Sequence, residues 1–251
     1  MPASYAHYRF GKQVLSFLPA DARQCVQRFR RMYDMGLQGP DIFFFYNPFL
    51  KTAVGTLDST FHSQSGRDFF PAACVQATTE AARAYLYGLL AHYCLDSVSH
   101  AGLPHAEGSR AVPEAEFDRY LLELDSVPLP HTYDLSPKLK LTRGECMTVA
   151  TFYPGATGGT VSLSTRNMAL LCRLGAKPKR QRTVAVLKRL PGNLADRLIP
   201  EEPVEAFARM DSELLARFNR AVRLFPGLLE QLTEHMRTGE PLGEDFSADF
   251  G

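Results

Sequence analysis

The stretch AYLYGLLAHYCLDSVSH, residues 84–100, decides the fold. Up to Val98 its side chains are apolar on nearly all sides of a helix, and a helix that is apolar all round lies inside a protein. Upstream, alanine-rich sequence favours helix, and Pro71 stands where a first helical turn tolerates proline. We therefore expect one long helix from Phe70 to about Gly102 that runs through the middle of the domain.

Helical spacing of apolar residues dominates the remainder of the chain, and no alternating run predicts a β-strand. An apolar stripe runs from about Pro203 to Met236, where Pro226 is expected to bend the helix. The other predicted helical segments are Ala20–Met35, Pro113–Leu124, Arg143–Phe152, Leu163–Leu174 and Gln181–Leu190. The prediction is an all-α fold, a single compact multi-helix domain over residues 1–251 in which helices within 143–237 complete the bundle.

Composition and charge exclude several classes of protein. A net charge of +1 gives no support for nucleic-acid binding driven by bulk charge. Residues 1–13 lack the apolar core of a secretory signal, and no stretch approaches the ~20 apolar residues of a membrane span. The five cysteines include no CxxC pair, which is typical of thiols in a reducing compartment. We expect a cytoplasmic protein whose polar tail, 238–251, is anchored by Phe246 and Phe250.

Three polar side chains lie on one face of the predicted buried helix. His92, Asp96 and His100 are spaced four residues apart, and each such step rotates only about 40° around a helix. An unpaired carboxylate costs several kcal/mol to bury, or it takes up a proton. A divalent metal ion would remove that cost, since imidazole nitrogen and carboxylate oxygen are usual zinc ligands. A plain hydrogen bond between histidine and aspartate is the alternative, and these residues alone leave both interpretations open.

Further motifs occur in a fixed order around this helix. They are YAHYRFG with His7, QGPDIFFFYNPF with Asp41, FHSQSGRDFF with His62, and EAEFD after the helix, beginning at Glu114. Together with HYCLDSVSH they resemble the zinc-dependent phospholipase C family, and their order is similar to that in the P1/S1-type zinc nucleases. The terminal DFSADFG resembles the cytoplasmic bacterial members of the family. The resemblance covers roughly residues 1–120.

The resemblance implies a zinc cluster of about one to three ions. Its implied ligands for two of the sites are Asp41, His62, His92, Asp96 and His7, with Asp96 as the bridge between them. The implied third site uses His100 and Glu114. This chain departs from the family there, because Arg110 stands where a histidine ligand is expected. His105 and Asp58 are alternative ligands for the second site, the one that His7 is implied to hold.

The activity that the resemblance implies is metal-dependent hydrolysis of a phospholipid or another phosphodiester by zinc-activated water. Asp41 would bind the first metal ion and orient or deprotonate the water. The candidate substrate contacts are Arg110, whose guanidinium matches phosphate geometry, and Phe44 and Tyr46. These two aromatic residues belong to the apolar run Ile42–Leu50, which is interpreted as core, with an acyl-chain groove as the alternative.

Two other functions remain open at this stage. The first is a non-catalytic metal-binding protein of the same fold that has lost one site, which Arg110 favours. The second is a single-strand nuclease, which the absence of an aromatic and basic stripe disfavours. No nucleic-acid partner is favoured, and no transmembrane segment is predicted, although a peripheral contact with a membrane is compatible with the resemblance.

Overall fold

The computed structural model describes residues 4–47, 52–99, 111–127, 135–175, 180–189 and 194–250. These residues form α-helices and short 3-10 helices, and their only β-pairing is one isolated bridge between Ser65 and Asp249. The all-α prediction is confirmed. The α-helices are α1 (Ser4–Val14), α2 (Ala20–Arg28), α3 (Arg30–Gly36), α4 (Leu57–His62), α5 (Gly66–Gln76), α6 (Glu80–Ser99), α7 (Ala111–Leu124), α8 (Arg143–Ala150), α9 (Gly158–Gly175), α10 (Arg180–Leu187), α11 (Glu205–Ala208) and α12 (Asp211–Thr238).

Helix α6 lies at the centre of the fold, as its sequence predicts. Tyr85, Leu89 and Tyr93 have no exposed surface, and helices α1, α2, α3, α5, α8 and α12 pack around it. The contiguous apolar core extends from Tyr5 in α1 to Phe250 near the C-terminus. No described helix is both long enough and apolar enough to cross a membrane. No cysteine forms a disulfide in the described part of the chain.

The helix predicted from Phe70 to Gly102 is two helices, so this prediction was wrong in its extent. Helix α5 already begins at Gly66, so Pro71 lies inside it and not in its first turn. The chain leaves helical geometry after Gln76, and the Thr79 hydroxyl then accepts a hydrogen bond from the Ala82 N–H at 3.1 Å. A threonine that caps a helix start in this way satisfies a donor that the first turn leaves unpaired.

Other predicted boundaries also differ from the structure. Ala20–Met35 divides at Phe29, whose φ of −114° and ψ of 44° are not helical, into α2 and α3. The stripe from Pro203 to Met236 divides into α11 and α12, with Pro226 inside α12. Several elements were not predicted, among them α1, α4 and the 3-10 helix Gly39–Phe45. These three elements carry His7, His62 and Asp41. The sequence pattern therefore did not predict the helices that position these side chains.

Two glycines bring α3 and α6 into direct backbone contact. A Cβ atom on Gly36 would lie 2.2 Å from the Tyr85 carbonyl oxygen, and one on Gly88 would lie 2.2 Å from the Tyr33 carbonyl oxygen. Only glycine permits this approach. It places the end of α3 and the following 3-10 helix directly over the next turn of α6, where His92 lies.

Candidate metal centre

Four side chains from three elements converge at one side of α6. His92 and Asp96 come from α6, His62 from the end of α4, and Asp41 from the 3-10 helix Gly39–Phe45. One ligand atom from each side chain lies within 4.8 Å of the others, and all four residues are buried. Within the described residues, this is the group that could hold a metal ion.

The distances between these atoms suit a shared ion. His62 Nε2 lies 3.0 Å from Asp41 Oδ1 and 3.6 Å from Asp96 Oδ2. His92 Nε2 lies 3.3 Å from Asp96 Oδ2 and 4.0 Å from Asp41 Oδ1. Tetrahedral zinc ligands at about 2.0–2.2 Å from the ion are separated by about 3.3–3.6 Å. The observed spacing brackets that value.

Backbone carbonyl groups orient both histidine rings. His92 Nδ1 lies 3.2 Å from the Leu37 carbonyl oxygen, and His62 Nδ1 lies 2.6 Å from that of Asp58. A carbonyl oxygen only accepts hydrogen bonds, so each Nδ1 must carry the proton. In the neutral rings Nε2 therefore presents its lone pair to the cluster, as metal-binding histidines generally do. Asp58, which the sequence suggested as an alternative ligand, instead lies behind His62 on the Nδ1 side.

Asp96 faces two groups of ligands with its two oxygen atoms. Oδ2 is directed to His62 and His92, whereas Oδ1 lies 3.3 Å from Nε2 of His7. The His7 ring also stacks on the His92 ring, with 4.3 Å between centroids and 20° between planes. Asp96 therefore lies between the His62 and His92 side of the cluster and His7.

Asp118 holds the start of α1, the helix that carries His7. Its carboxylate accepts hydrogen bonds from the backbone N–H groups of Tyr5 at 2.9 Å and Ala6 at 2.8 Å. These donors belong to the first helical turn and would otherwise be unpaired. Burial raises the pKa of Asp118 to about 7, although both N–H donors oppose the rise. Asp118 thereby links α7 to the position of His7.

Charge in the cluster is arranged as metal binding requires. Burial holds the pKa of His92 well below its ordinary value, so the ring is neutral. Burial would raise the pKa of Asp96, but His92 and His7 outweigh it and hold the pKa well below the usual range. Burial opposes the charge of His62, yet the neighbouring aspartates raise its pKa well above the ordinary value. In the absence of an ion, that imidazolium proton supplies the positive charge between the carboxylates.

Buried nitrogen atoms without hydrogen bonds test whether the residues present fit a metal ion. Nε2 of His7, of His62 and of His92 is fully buried and makes no hydrogen bond of acceptable geometry to any described residue. Buried polar atoms in native proteins are nearly always hydrogen-bonded, and an exception requires an explanation. A cation held by the four-residue group would satisfy Nε2 of His62 and of His92, whereas His7 lies outside that group. The residues present therefore fit a metal ion.

Phe250, close to the C-terminus, forms a wall of the centre. Its ring is fully buried and lies against the rings of His62 at 6.4 Å and His92 at 6.1 Å. The Gly66 N–H donates to the Ala248 carbonyl oxygen at 3.0 Å, which fastens this segment to the start of α5. Phe246 is equally buried but packs on Tyr93 and contacts no histidine ring in the described structure.

We expect Phe250→Leu to weaken zinc binding about tenfold, because the rings of His62 and His92 lose a packing surface that orients them. Competition with a chromophoric zinc chelator measures the change. Phe246→Leu is the matched control, since both substitutions remove similar volume and should cost about 1–2 kcal/mol of stability. Equal effects of the two variants on zinc affinity would contradict a specific role for Phe250.

The remaining predicted residues have different outcomes. His100, His105 and Arg110 lie outside the described residues. Glu114 is in the first turn of α7 and is not a member of the four-residue cluster. Burial raises the pKa of Glu114, while the charge of Arg197 lowers it and that of Asp41 raises it further.

The aromatic run after Asp41 is mostly core. Ile42, Phe43 and Phe45 are buried, whereas Phe44 and Tyr46 are partly exposed. The interpretation of this run as core is therefore correct for three of its residues, and Phe44 and Tyr46 remain accessible. Residues 48–51 lie outside the described part of the chain.

Sequence reasoning missed the supporting residues of the centre. Asp118 stood within the EAEFD motif, but nothing in the motif shows that its carboxylate meets the start of α1. The anchoring role of Phe250 was expected, but its contact with the ligand histidines was not. Arg197 belongs to a short 3-10 helix, Leu194–Arg197, that has no periodic signal.

Comparison with known proteins adds no assignment. No protein-family model, curated protein or solved structure matches this chain. The class of site, a buried histidine and aspartate cluster that could hold a metal ion, therefore rests on its own geometry.

Proposed function

We propose that the protein is a metal-dependent phosphodiester hydrolase with zinc as its metal. The main observation in support is the position of the buried Asp96 carboxylate. One of its oxygen atoms faces His62 and His92, and the other faces His7. Bound divalent ions would supply what an in-line displacement at phosphorus requires, since they would polarise phosphoryl oxygens and acidify water. The resemblance to the zinc-dependent phospholipase C family supports the same activity.

Each residue of the cluster has a distinct task in this proposal. His62 and His92 would hold a first ion through Nε2, and their Nδ1 protons keep the rings oriented for it. His7 would hold a second ion, and Asp96 would be a ligand to both. The neutral state of His92 and the ionised state of Asp96 leave both groups ready to bind a cation.

Asp41 is the proposed general base. Its Oδ1 faces His62 and His92, which leaves Oδ2 to orient a water molecule and accept its proton. Burial raises the pKa of Asp41 above its ordinary value, so its carboxylate is a stronger base than an exposed aspartate. The proton of the attacking water passes to Oδ2 while the new oxygen–phosphorus bond forms. The bond to the leaving oxygen breaks with its electron pair on that oxygen, which departs as an oxyanion and takes a proton from solvent where it is an alkoxide.

The decisive experiment measures zinc content and hydrolysis of bis(p-nitrophenyl) phosphate on the same preparation. We expect turnover in the zinc-loaded protein and a loss of about 100-fold or more in kcat for Asp41→Asn, because general bases typically contribute that much. Asp21→Asn, at an exposed position on α2, is the control and should leave kcat unchanged.

A zinc-loaded protein without turnover on this diester, on phosphatidylcholine vesicles or on single-stranded DNA would contradict the hydrolase. It would leave the non-catalytic metal-binding protein. Turnover on DNA alone would instead identify a nuclease. Activity on vesicles and on the small diester, without activity on DNA, is the pattern that the family resemblance implies.

A further inference from the structure

Arg197 stacks on Phe44, an aromatic residue in the same 3-10 helix as Asp41, the proposed base. Its guanidinium carbon is 3.5 Å from the centroid of the Phe44 ring and 5.9 Å from that of Phe45. At 3.5 Å the planar group lies directly over the ring face, where cation–π attraction holds it. Arg197 is only partly exposed, so the side chain is held against the 3-10 helix Gly39–Phe45.

The position of Phe44 places this guanidinium on the Asp41 side of the 3-10 helix. Asp41 and Phe44 are three residues apart, and side chains at that spacing eclipse one another in a 3-10 helix. The rise of about 2.0 Å per residue separates their Cα atoms by only about 6 Å along the axis. Arg197 therefore lies on the side chain that is one turn of the 3-10 helix after Asp41.

Packing in this region joins three distant segments. Helix α7, which carries Glu114, packs against the 3-10 helix Leu194–Arg197. Arg197 in turn lies on Phe44, in the 3-10 helix that carries Asp41. Asp41 and Glu114 are 73 residues apart in sequence and Glu114 and Arg197 are 83 apart, so no local pattern brings them together.

The guanidinium forms no close ion pair within the described part of the protein, although its charge reaches Glu114. Arg197 makes no hydrogen bond there, and no carboxylate oxygen lies within 4.0 Å of its nitrogen atoms. By contrast, Arg9, Arg30 and Arg119 each pair with a carboxylate at 2.7–2.8 Å. An arginine whose N–H donors are unused, and whose stem is fixed by stacking, is suited to bind a phosphate through paired hydrogen bonds.

We propose that Arg197 is the anion-binding residue of the centre and that it binds the non-bridging oxygen atoms of a substrate phosphate. The inference rests on the proposed hydrolase function and specifies how its phosphodiester is held. Stacking on Phe44 limits the guanidinium to a plane whose edge carries the free donors. A fixed positive charge beside Asp41 then orients the phosphorus atom toward the water that Asp41 holds.

Inorganic phosphate is the probe, because it carries the recognised group without a leaving group or an acyl chain. Its inhibition constant is measured in the zinc-loaded protein, together with kcat and KM for bis(p-nitrophenyl) phosphate. We expect Arg197→Gln, which keeps the stem on Phe44 but removes the charge, to raise the inhibition constant and KM at least tenfold. Arg197→Lys keeps the charge but loses the paired donors, so its inhibition constant and KM should lie between those of the wild type and those of Arg197→Gln. Arg220→Gln, exposed on α12, is the matched control.

The outcomes separate the inference from the function on which it rests. Wild-type turnover combined with an unchanged inhibition constant in Arg197→Gln would overturn the role of Arg197 and leave the hydrolase intact. A zinc-loaded wild type that neither hydrolyses the diester nor binds phosphate would overturn both. If Arg197→Gln fails to fold, Arg197→Lys decides, because a wild-type inhibition constant in that variant would exclude paired recognition. Unchanged zinc content and melting temperature in the variants exclude a merely structural effect.

Discussion

Chelation of the bound metal is expected to lower the melting temperature by about 8–16 °C. An ion that binds only the folded state adds about 4 kcal/mol when present at 1,000 times its dissociation constant, and each kcal/mol shifts a domain of this size by about 2–4 °C. The buried carboxylates of Asp41 and Asp96 would also lose their compensating charge. Thermal unfolding with and without chelator, followed by readdition of zinc, measures the effect.

A variant of Asp96, the proposed bridging residue, tests the metal centre through its zinc content. Purified without chelator, the wild type should carry about one to three zinc ions. Asp96→Asn keeps the shape but removes the charge, so it should release at least one ion and abolish most activity. Asp34→Asn is the control, since Asp34 is also buried but pairs with Arg30 at 2.7 Å, away from the centre. It should lower stability without changing zinc content.

Unchanged zinc content in Asp96→Asn would reject the bridge and leave Asp96 as a residue that orients His92. Less than about half an equivalent of zinc in the wild type, even after refolding with zinc, would contradict the metal centre itself. In that case the unpaired Nε2 atoms of His7, His62 and His92 would need another explanation.

Gly88→Ala is expected to destabilise the fold by about 3 kcal/mol or more, or to prevent folding. The new Cβ would lie 2.2 Å from the Tyr33 carbonyl oxygen and 3.0 Å from the Gly36 Cα atom. These are backbone atoms inside two packed helices, so no side-chain rotation can relieve the overlap. Urea unfolding measures the loss, and zinc affinity should fall with it because Leu37 moves away from His92.

Gly227→Ala is the matched control for this substitution. Gly227 lies within α12, and a Cβ there would meet nothing within 4 Å. Helix propensity favours alanine over glycine by about 1 kcal/mol at both positions, so Gly227→Ala should stabilise the protein slightly. A stabilising or neutral effect of Gly88→Ala would contradict the close approach of α3 and α6.

The difference between predicted and observed elements follows from the range of the interactions. Apolar residues on all sides of Tyr85–Val98 predict a buried helix because helical period and burial are both read within a few turns. The break at residues 77–79 depends on Thr79 competing for backbone hydrogen bonds, a local signal that the alanine-rich composition concealed. The short helix α4 lacks the length over which periodicity can be detected.

The residues of the candidate site also divide into those whose relative positions follow from local sequence and those whose positions do not. The sequence by itself determined that His92 and Asp96 share a face of a buried helix, since a spacing of four residues sets their relative position whatever surrounds them. Similarity to a known set of motifs suggested that Asp41, His62 and His7 belong with them. No local rule states how far apart those side chains lie.

Only the tertiary structure decided that they meet. The contact of Gly36 with Gly88 brings Asp41 over His92, and Asp118 sets the start of α1 so that His7 faces the second oxygen atom of Asp96. Arg197 reaches Phe44 by the same kind of long-range packing. The physical reason is that helix geometry is set by neighbouring residues, whereas the approach of distant segments is the net result of close packing throughout the core.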